Sequence, residues 1–216
     1  MQVSNSIKSS NELRAISRNQ LKGHWGTAVL LCLVFMILTT LAGTVPAIGM
    51  IVNLLVSGPL LLGYVSCFLK LIRKEPFRFE NLFDGFSNFK SAFLAYLLMT
   101  IFTVLWTLLF LIPGIIAILR YSMTFYILHD YPHIGALEAI RTSKKMMIGY
   151  KWKLFCLFLS FLGWIILSIL TLGIGFLWLT PYIQTAITNF YQELKNTQAN
   201  LLESKSQEKD TATVNT

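Results

Sequence analysis

Long uncharged apolar stretches alternate along this chain with short segments that hold nearly all of its charge. Gly26 to Leu69 carries no Asp, Glu, Lys, Arg or His over about 44 residues. At about 1.5 Å per helical residue this run would reach roughly 66 Å, twice the hydrocarbon thickness of a bilayer, so it must fold back once. Gly43, Pro46 and Gly49 lie near its middle, where a turn is expected. Ser91 to His129 repeats the pattern around Ile112, Pro113 and Gly114, and Leu154 to Tyr191 repeats it around "TLGIG", Thr171 to Gly175. Three runs, each broken once, predict an all-α polytopic membrane protein with six transmembrane helices in three hairpins. Residues 1–195 form one membrane domain. The polar segment 196–216 is too poor in apolar residues to pack and is expected to be a disordered cytoplasmic tail.

The segment ahead of each hairpin is amphipathic. In "SNELRAISRNQLKG", Ser9 and Glu12 have the spacing of a capping box, and Gly23 stands where a helix would end. Arg14, Arg18 and Lys22 recur every four residues as one basic stripe. In "FRFENLFDGFSNFK", Phe79, Leu82, Phe83 and Phe86 follow helical spacing, with Glu80, Asn81 and Asp84 turned away. A short helix of this kind lies in the headgroup plane. In "PHIGALEAIRTSKKMMIGY", Pro132 can start a helix that Gly149 ends, and Lys144 and Lys145 make its end basic. Its apolar face (Ile134, Leu137, Ile140, Met147, Ile148) is interrupted by Lys144. Arg14, Arg18, Lys22, Phe79, Phe83, Phe86, Lys144 and Lys145 are thus the candidate membrane-interface residues. Laying Gly23 on Gly149 aligns Ser17 with Ser143, Arg18 with Lys144 and Leu21 with Met147, and each return span carries a proline: Pro59, Pro113 and Pro181. This is a weak threefold pseudo-repeat of an amphipathic helix and two spans.

Composition supports the membrane class: 55% apolar and 13% charged residues leave too little polar chain to cover a soluble core of this size. The net charge of +8 falls in alternate connections. Cations precede the first span, separate the second from the third and the fourth from the fifth, and follow the sixth, while the other connections carry none. Both termini are therefore expected in the cytoplasm. The basic loops suit an anionic inner leaflet, at about 1 kcal/mol per Lys or Arg near the surface. Nucleic acid is not an expected partner, since no basic groove is interleaved with aromatics. A cleaved leader is not expected either, because the first apolar run continues directly into a second span. Cys32, Cys67 and Cys156 are isolated in apolar stretches and read as small packing residues.

Arg120 is the one formal charge between Ser91 and His129. On the six-span reading it lies about 10 Å below the outer surface, with its side chain tilted toward that surface. It is either an interface anchor or, with Asn53 and Gln184 at compatible depths, part of an anion or lipid-phosphate site. The spans contain no Asp, Glu or Lys and no deep His. The titratable group of a proton-coupled transporter and the base of an intramembrane hydrolase are both missing. His129, Asp130 and His133 form the only ligand-like cluster, but Pro132 interrupts it, and Asp130 is better explained as lying just ahead of the next helix start. Neither a metal site nor a cofactor motif is expected.

The blocks "ELRAISRNQLKGHWGTAVL", "NLFDGFSNFKSAFLAYLL", "LIPGIIAILRYSMTFYIL", "ALEAIRTSKKMMIGYKWKLFCL" and "LTLGIGFLWLTPYIQTAITNFY" resemble a family of integral membrane proteins of Gram-positive bacteria known only as a domain of unknown function, DUF975. The resemblance covers roughly Asn11 to Leu194. More distantly, "ALEAIRTSKKMMIGYKWKLF" is similar to the membrane domain attached to some glycerophosphodiester phosphodiesterases. The family resemblance implies six spans in a bacterial plasma membrane and brings no activity, ligand or catalytic residue. The expected function is non-enzymatic: engagement of membrane lipid, or of a membrane-protein partner, through the basic interfacial helices. The alternative is a permease for a small anionic or apolar solute with Arg120 on its path. A third class, an enzyme acting on lipid, would rest on His129, Asp130 and His133.

Overall fold

The computed structural model describes residues 7–44, 49–76, 78–109 and 111–214, and every regular element among them is helical. In chain order these are α1 (Ser10–Leu21), α2 (Trp25–Gly43), α3 (Gly49–Ile72), a 3-10 helix (Phe79–Asn88), α4 (Phe89–Leu109), α5 (Leu111–Tyr121), α6 (Thr124–Asp130), α7 (Ala136–Met146), α8 (Lys151–Leu159), α9 (Leu162–Leu170) and α10 (Phe176–Val214). The turn expected around Pro46 lies outside the described residues. The capping box of α1 forms as its spacing predicts: Glu12 N donates to Ser9 Oγ, and Ser9 N donates to the Glu12 carboxylate at 2.9 Å.

Five helical segments are long and apolar enough to cross a membrane: Trp25–Ala42, Ile51–Ile72, Phe79–Leu108, Ile112–Asp130 and Lys151–Leu170. The expected sixth, the first half of α10, is not among them because it carries Thr180, Gln184, Thr185, Thr188 and Asn189. That polarity is used internally. Thr180, Thr185 and Thr188 donate to carbonyls of the preceding turn, Gln184 Nε2 donates to Tyr126 Oη at 2.9 Å, and Asn189 Nδ2 donates to Ser17 Oγ at 3.1 Å. A helix enclosed by its neighbours needs no continuous apolar surface.

The helices sort into an inner and an outer set. In their apolar stretches, 61% of Ile51–Ile72 and 56% of Ile112–Asp130 are buried, against 17%, 11% and 22% of Trp25–Ala42, Phe79–Leu108 and Lys151–Leu170. The returning helices α3, α6 and α10 form the centre: α3 packs on α6 and α10, and the Tyr126 ring of α6 stacks on Tyr191 of α10 at 5.0 Å. The outgoing helices lie outside, each against two returning ones. Thus α2 packs on α3 and α10, α4 on α3 and α5, and α8 on α5 and α10.

The three segments that precede the outgoing helices repeat one placement. The 3-10 helix packs on α3, α7 on α5 and α6, and α1 on α10. The first two therefore lie on the helices that precede them in the chain, and α1 lies on the last helix, α10. The alignment of α1 with α7 carries into the coordinates. Gly23 and Gly149 share a left-handed backbone, at φ +84° and +81°, which a residue with a Cβ adopts only under strain. Ser17 with Ser143, and Leu21 with Met147, are fully buried pairs. Arg18 lies 6.0 Å from the Tyr182 ring centre and Lys144 lies 5.3 Å from that of Tyr121.

Four details depart from the sequence pattern. The second amphipathic segment is 3-10 rather than α, which eclipses side chains three apart and sets Phe83, Phe86 and Phe89 in an exposed row with ring centres 6.3 and 6.4 Å apart. Its inner side is Leu82 and Gly85, held against α3 at a backbone-to-backbone contact. The third segment starts at Ala136 instead of Pro132, with Gly135 as its extended N-cap. The fourth apolar run breaks at Ser122 and Met123 and the fifth at Ser160 and Phe161. Finally, residues 196–214 continue α10 where a disordered tail is expected, and residues 215–216 lie outside the description.

A Cβ at Gly63 would overlap the Leu82 carbonyl, and one at Gly85 would overlap the Pro59 carbonyl. Because backbone blocks each, Gly63→Ala is expected to destabilise the protein by about 3 kcal/mol, the upper part of the overpacking range. Thermal unfolding in detergent checks this: a midpoint unchanged from the parent protein would mean that α3 and the 3-10 helix are not in contact here.

Candidate functional site

The sequence singles out Arg120, Asn53 and Gln184 as a possible ligand set, and the structure distributes them. Asn53 joins α3 to α2, with Nδ2 donating to Thr39 O at 2.9 Å, while Oδ1 accepts from Ser57 Oγ at 2.8 Å within α3. Gln184 faces a cavity of about 410 Å³ between α3, α4, α5, α6, α8 and α10, also lined by Thr100, Thr103, Tyr121 and Tyr126. Neither Arg120 nor Asn53 lines it.

Arg120 is half-buried in the last turn of α5, where the fourth run breaks. Breaking a helix leaves its last carbonyls without amide partners. Three hydroxyls supply them: Ser122 Oγ donates to Leu119 O at 2.8 Å, Ser143 Oγ of α7 to Arg120 O at 2.8 Å, and Thr124 Oγ1 to Tyr121 O at 2.7 Å. Lys144, next to Ser143, covers Tyr121 and, at 5.6 Å, Phe102. Arg120 is therefore not a lone cation among leucines. It lies beside the basic end of α7, and both cations suit the negative end of the α5 dipole.

The fifth run breaks in the same manner, and α1 serves it. Arg14 donates through one terminal nitrogen to Ser160 O at 2.7 Å and through the other to Asn11 Oδ1 at 2.8 Å. Its Nε is buried without a partner. Tyr182 Oη donates to Arg14 O at 3.2 Å. Of the basic stripe on α1, Arg14 thus turns inward, while Arg18 and Lys22 remain exposed, as do Arg141 and Lys145 on α7. Phe79, Phe83 and Phe86 are exposed as well.

At the ends of the three central helices the structure assembles a cluster that sequence reasoning misses. Asp130 closes α6 with its carboxylate 4% exposed, instead of preceding the start of α7. It pairs with Arg73 beyond α3 at 2.9 Å and with Lys195 of α10 at 2.6 Å, and it accepts from Tyr191 Oη at 2.9 Å. Arg73 also donates to Gln192 Oε1 at 3.2 Å. This disposes of Asp130 as a free acid beside His129 and His133, because two cations and a phenol occupy it. The available signal was that the charges nearest the ends of the return helices are of opposite sign. Asp130→Asn removes the carboxylate that pairs with both cations. With Arg73 and Lys195 still partly exposed (26% and 35%), the expected loss is about 2–3 kcal/mol, less than for a fully buried pair. Guanidinium or thermal unfolding of the purified protein measures it, and an unaltered stability would deny the cluster any fastening role.

A family model described as "Protein of unknown function (DUF975)" matches residues 1–120 and again 108–198. No curated protein and no solved structure matches the chain. Since the two matches together cover most of its length, the chain belongs to the DUF975 family of proteins of unknown function.

Proposed function

We propose that this is a non-enzymatic integral protein of the bacterial plasma membrane that engages anionic lipid through the exposed cations of α1 and α7. The observation that carries this reading is the pairing of charges. The ion pairs among the described residues are Lys8–Glu193, Lys70–Asp84, Arg73–Asp130 and Lys195–Asp130, and the cations they leave without one include the exposed Arg18, Lys22, Arg141 and Lys145. Those four sit on helices whose apolar faces are docked on the ring, so their positions are fixed at little further entropic cost. Each is worth about 1 kcal/mol against an anionic leaflet. The exposed row of phenylalanines on the 3-10 helix adds apolar area suited to the same boundary. A membrane-protein partner is the other occupant of this face. The permease reading has less support, since Arg120 does not line the cavity beside Gln184.

The reading includes six crossings in three hairpins, with both termini cytoplasmic. Residues 176–195 of α10 would make the sixth, their polar groups already bonded within the bundle as a bilayer requires. The α9–α10 turn is tight, with Leu172 at φ +53° and Gly173 at +88°, and the cations lie on the opposite side.

Reporter fusions at Thr44, Gly114 and Gly173 should all register outside the cell; a cytosolic signal from any of them would break the topology. Lipid engagement is tested by native mass spectrometry from nanodiscs of equal phosphatidylglycerol and phosphatidylcholine. Arg141→Gln with Lys145→Gln is expected to lower retained phosphatidylglycerol several-fold. An unchanged set of retained lipids would overturn the lipid reading, and solute flux into liposomes lost in Arg120→Gln would replace it with the permease.

A further inference from the structure

Beside the third hairpin a second cavity, of about 380 Å³, opens between α1, α2, α9 and α10. Its lining includes Trp25, Trp164, Leu167, Trp178 and Tyr182, and its single formal charge is Arg18. Ser168, Leu179 and Tyr182 are buried and form its floor, whereas Trp164, Leu167 and Trp178 are about half exposed (47%, 51% and 52%) and form its rim. The cavity is therefore open sideways, toward whatever surrounds the outer helices. The Ser168 hydroxyl already donates to Trp164 O at 2.8 Å, so the interior is apolar and the guanidinium supplies its polarity. Arg18 lies over the Tyr182 ring and pairs with no carboxylate among the described residues. Its pseudo-equivalent Lys144 is packed between two rings, Tyr121 and Phe102.

We propose that this cavity is a binding site for one anionic lipid, with the headgroup phosphate on Arg18 and an acyl chain between the indoles. The proposal rests on the membrane reading above and narrows it to one cation and one groove. The chemistry of the two ends selects the ligand. A planar guanidinium presents paired donors that match two phosphate oxygens, and it keeps its charge at any physiological pH. Indole walls offer flat apolar surface to a chain and tolerate the polar boundary near the headgroup. A zwitterionic headgroup brings its own cation beside the phosphate and competes with Arg18 for it, whereas phosphatidylglycerol does not. The lateral opening lets a lipid enter from the bilayer plane without any change in the ring.

Tryptophan fluorescence tests this. Of the five tryptophans, Trp106 and Trp152 lie away from the cavity and are exposed, so a Trp106→Phe, Trp152→Phe background leaves only its three indoles as reporters. The full chain is reconstituted in phosphatidylcholine vesicles containing either dibrominated phosphatidylglycerol or dibrominated phosphatidylcholine at equal bromine content. The phosphatidylglycerol is expected to quench at about fivefold lower mole fraction. Arg18→Gln should abolish that difference and Arg18→Lys should keep most of it. Equal quenching by the two lipids, or a preference that survives Arg18→Gln, overturns the site. A Trp164→Ala variant with Arg18 intact provides a check independent of the charge and is expected to weaken phosphatidylglycerol quenching of the two remaining indoles; no change overturns the proposal equally. The Arg141/Lys145 experiment remains the separate test of general lipid engagement, so a failure here with retention still sensitive there removes the cavity and leaves the broader reading standing.

Discussion

In surroundings where water is scarce, every backbone carbonyl and polar side chain must find a partner within the protein, and this requirement organises the bundle. It is clearest at the two helix breaks. The carbonyl of Arg120 is met by Ser143 from α7, and that of Ser160 by Arg14 from α1. In each case the partner comes from an amphipathic segment belonging to another part of the chain. The breaks and the segments are therefore mutually dependent. An unbroken helix would leave Arg14 and Ser143 without those acceptors, and an undocked segment would leave the ends of α5 and α8 unsatisfied.

The same requirement accounts for the centre. The first half of α10 carries more polar groups than the outer helices, yet Thr180, Gln184, Thr185, Thr188 and Asn189 all bond within the bundle. Tyr126, Gln184 and Thr188 join α6 to α10, and Asp130 gathers the ends of all three return helices by pairing with Arg73 and Lys195. Apolar packing brings the helices together without fixing their relative register, whereas directional bonds at both levels of the core do fix it. The outer helices α2, α4 and α9 present leucines, isoleucines and tryptophans outward, and α2 is joined to α3 through Thr39 O, which accepts from Asn53, and through Cys32 beside Tyr64.

Repetition then follows from one local geometry used three times. A short helix laid on another helix of the bundle leads into the next long apolar segment, and in two of the three cases a left-handed glycine makes the corner. The 3-10 segment achieves the same placement by another route: Gly63 and Gly85 let backbone touch backbone, and the tightened helix turns its phenylalanines outward. Where the docked helices place cations over aromatic rings, the two pseudo-equivalent sites differ. Lys144 is shared between two rings, while Arg18 borders an open, indole-lined groove. Such a difference is what allows a repeated scaffold to carry a site in one copy only.

Much of this was written in the linear chain. Runs without charge predicted six spans and located the five segments that are long and apolar enough to cross a membrane, because transfer of Leu, Ile and Phe depends on composition alone. The polar first half of α10 is not among those five. The Ser9–Glu12 capping box and the glycines at 23 and 149 were legible because their constraints involve residues a few positions apart, and the Ser17–Ser143 alignment marked the positions buried in both copies. What only the tertiary structure decided involves partners distant in sequence. No local rule says that Asp130 meets Arg73 and Lys195, that the carbonyl of Arg120 waits for Ser143, or that the second amphipathic segment tightens to 3-10 against Gly63. Those outcomes depend on which helices become neighbours, and neighbours are chosen by the closure of the whole ring, a property that no single stretch of the sequence carries.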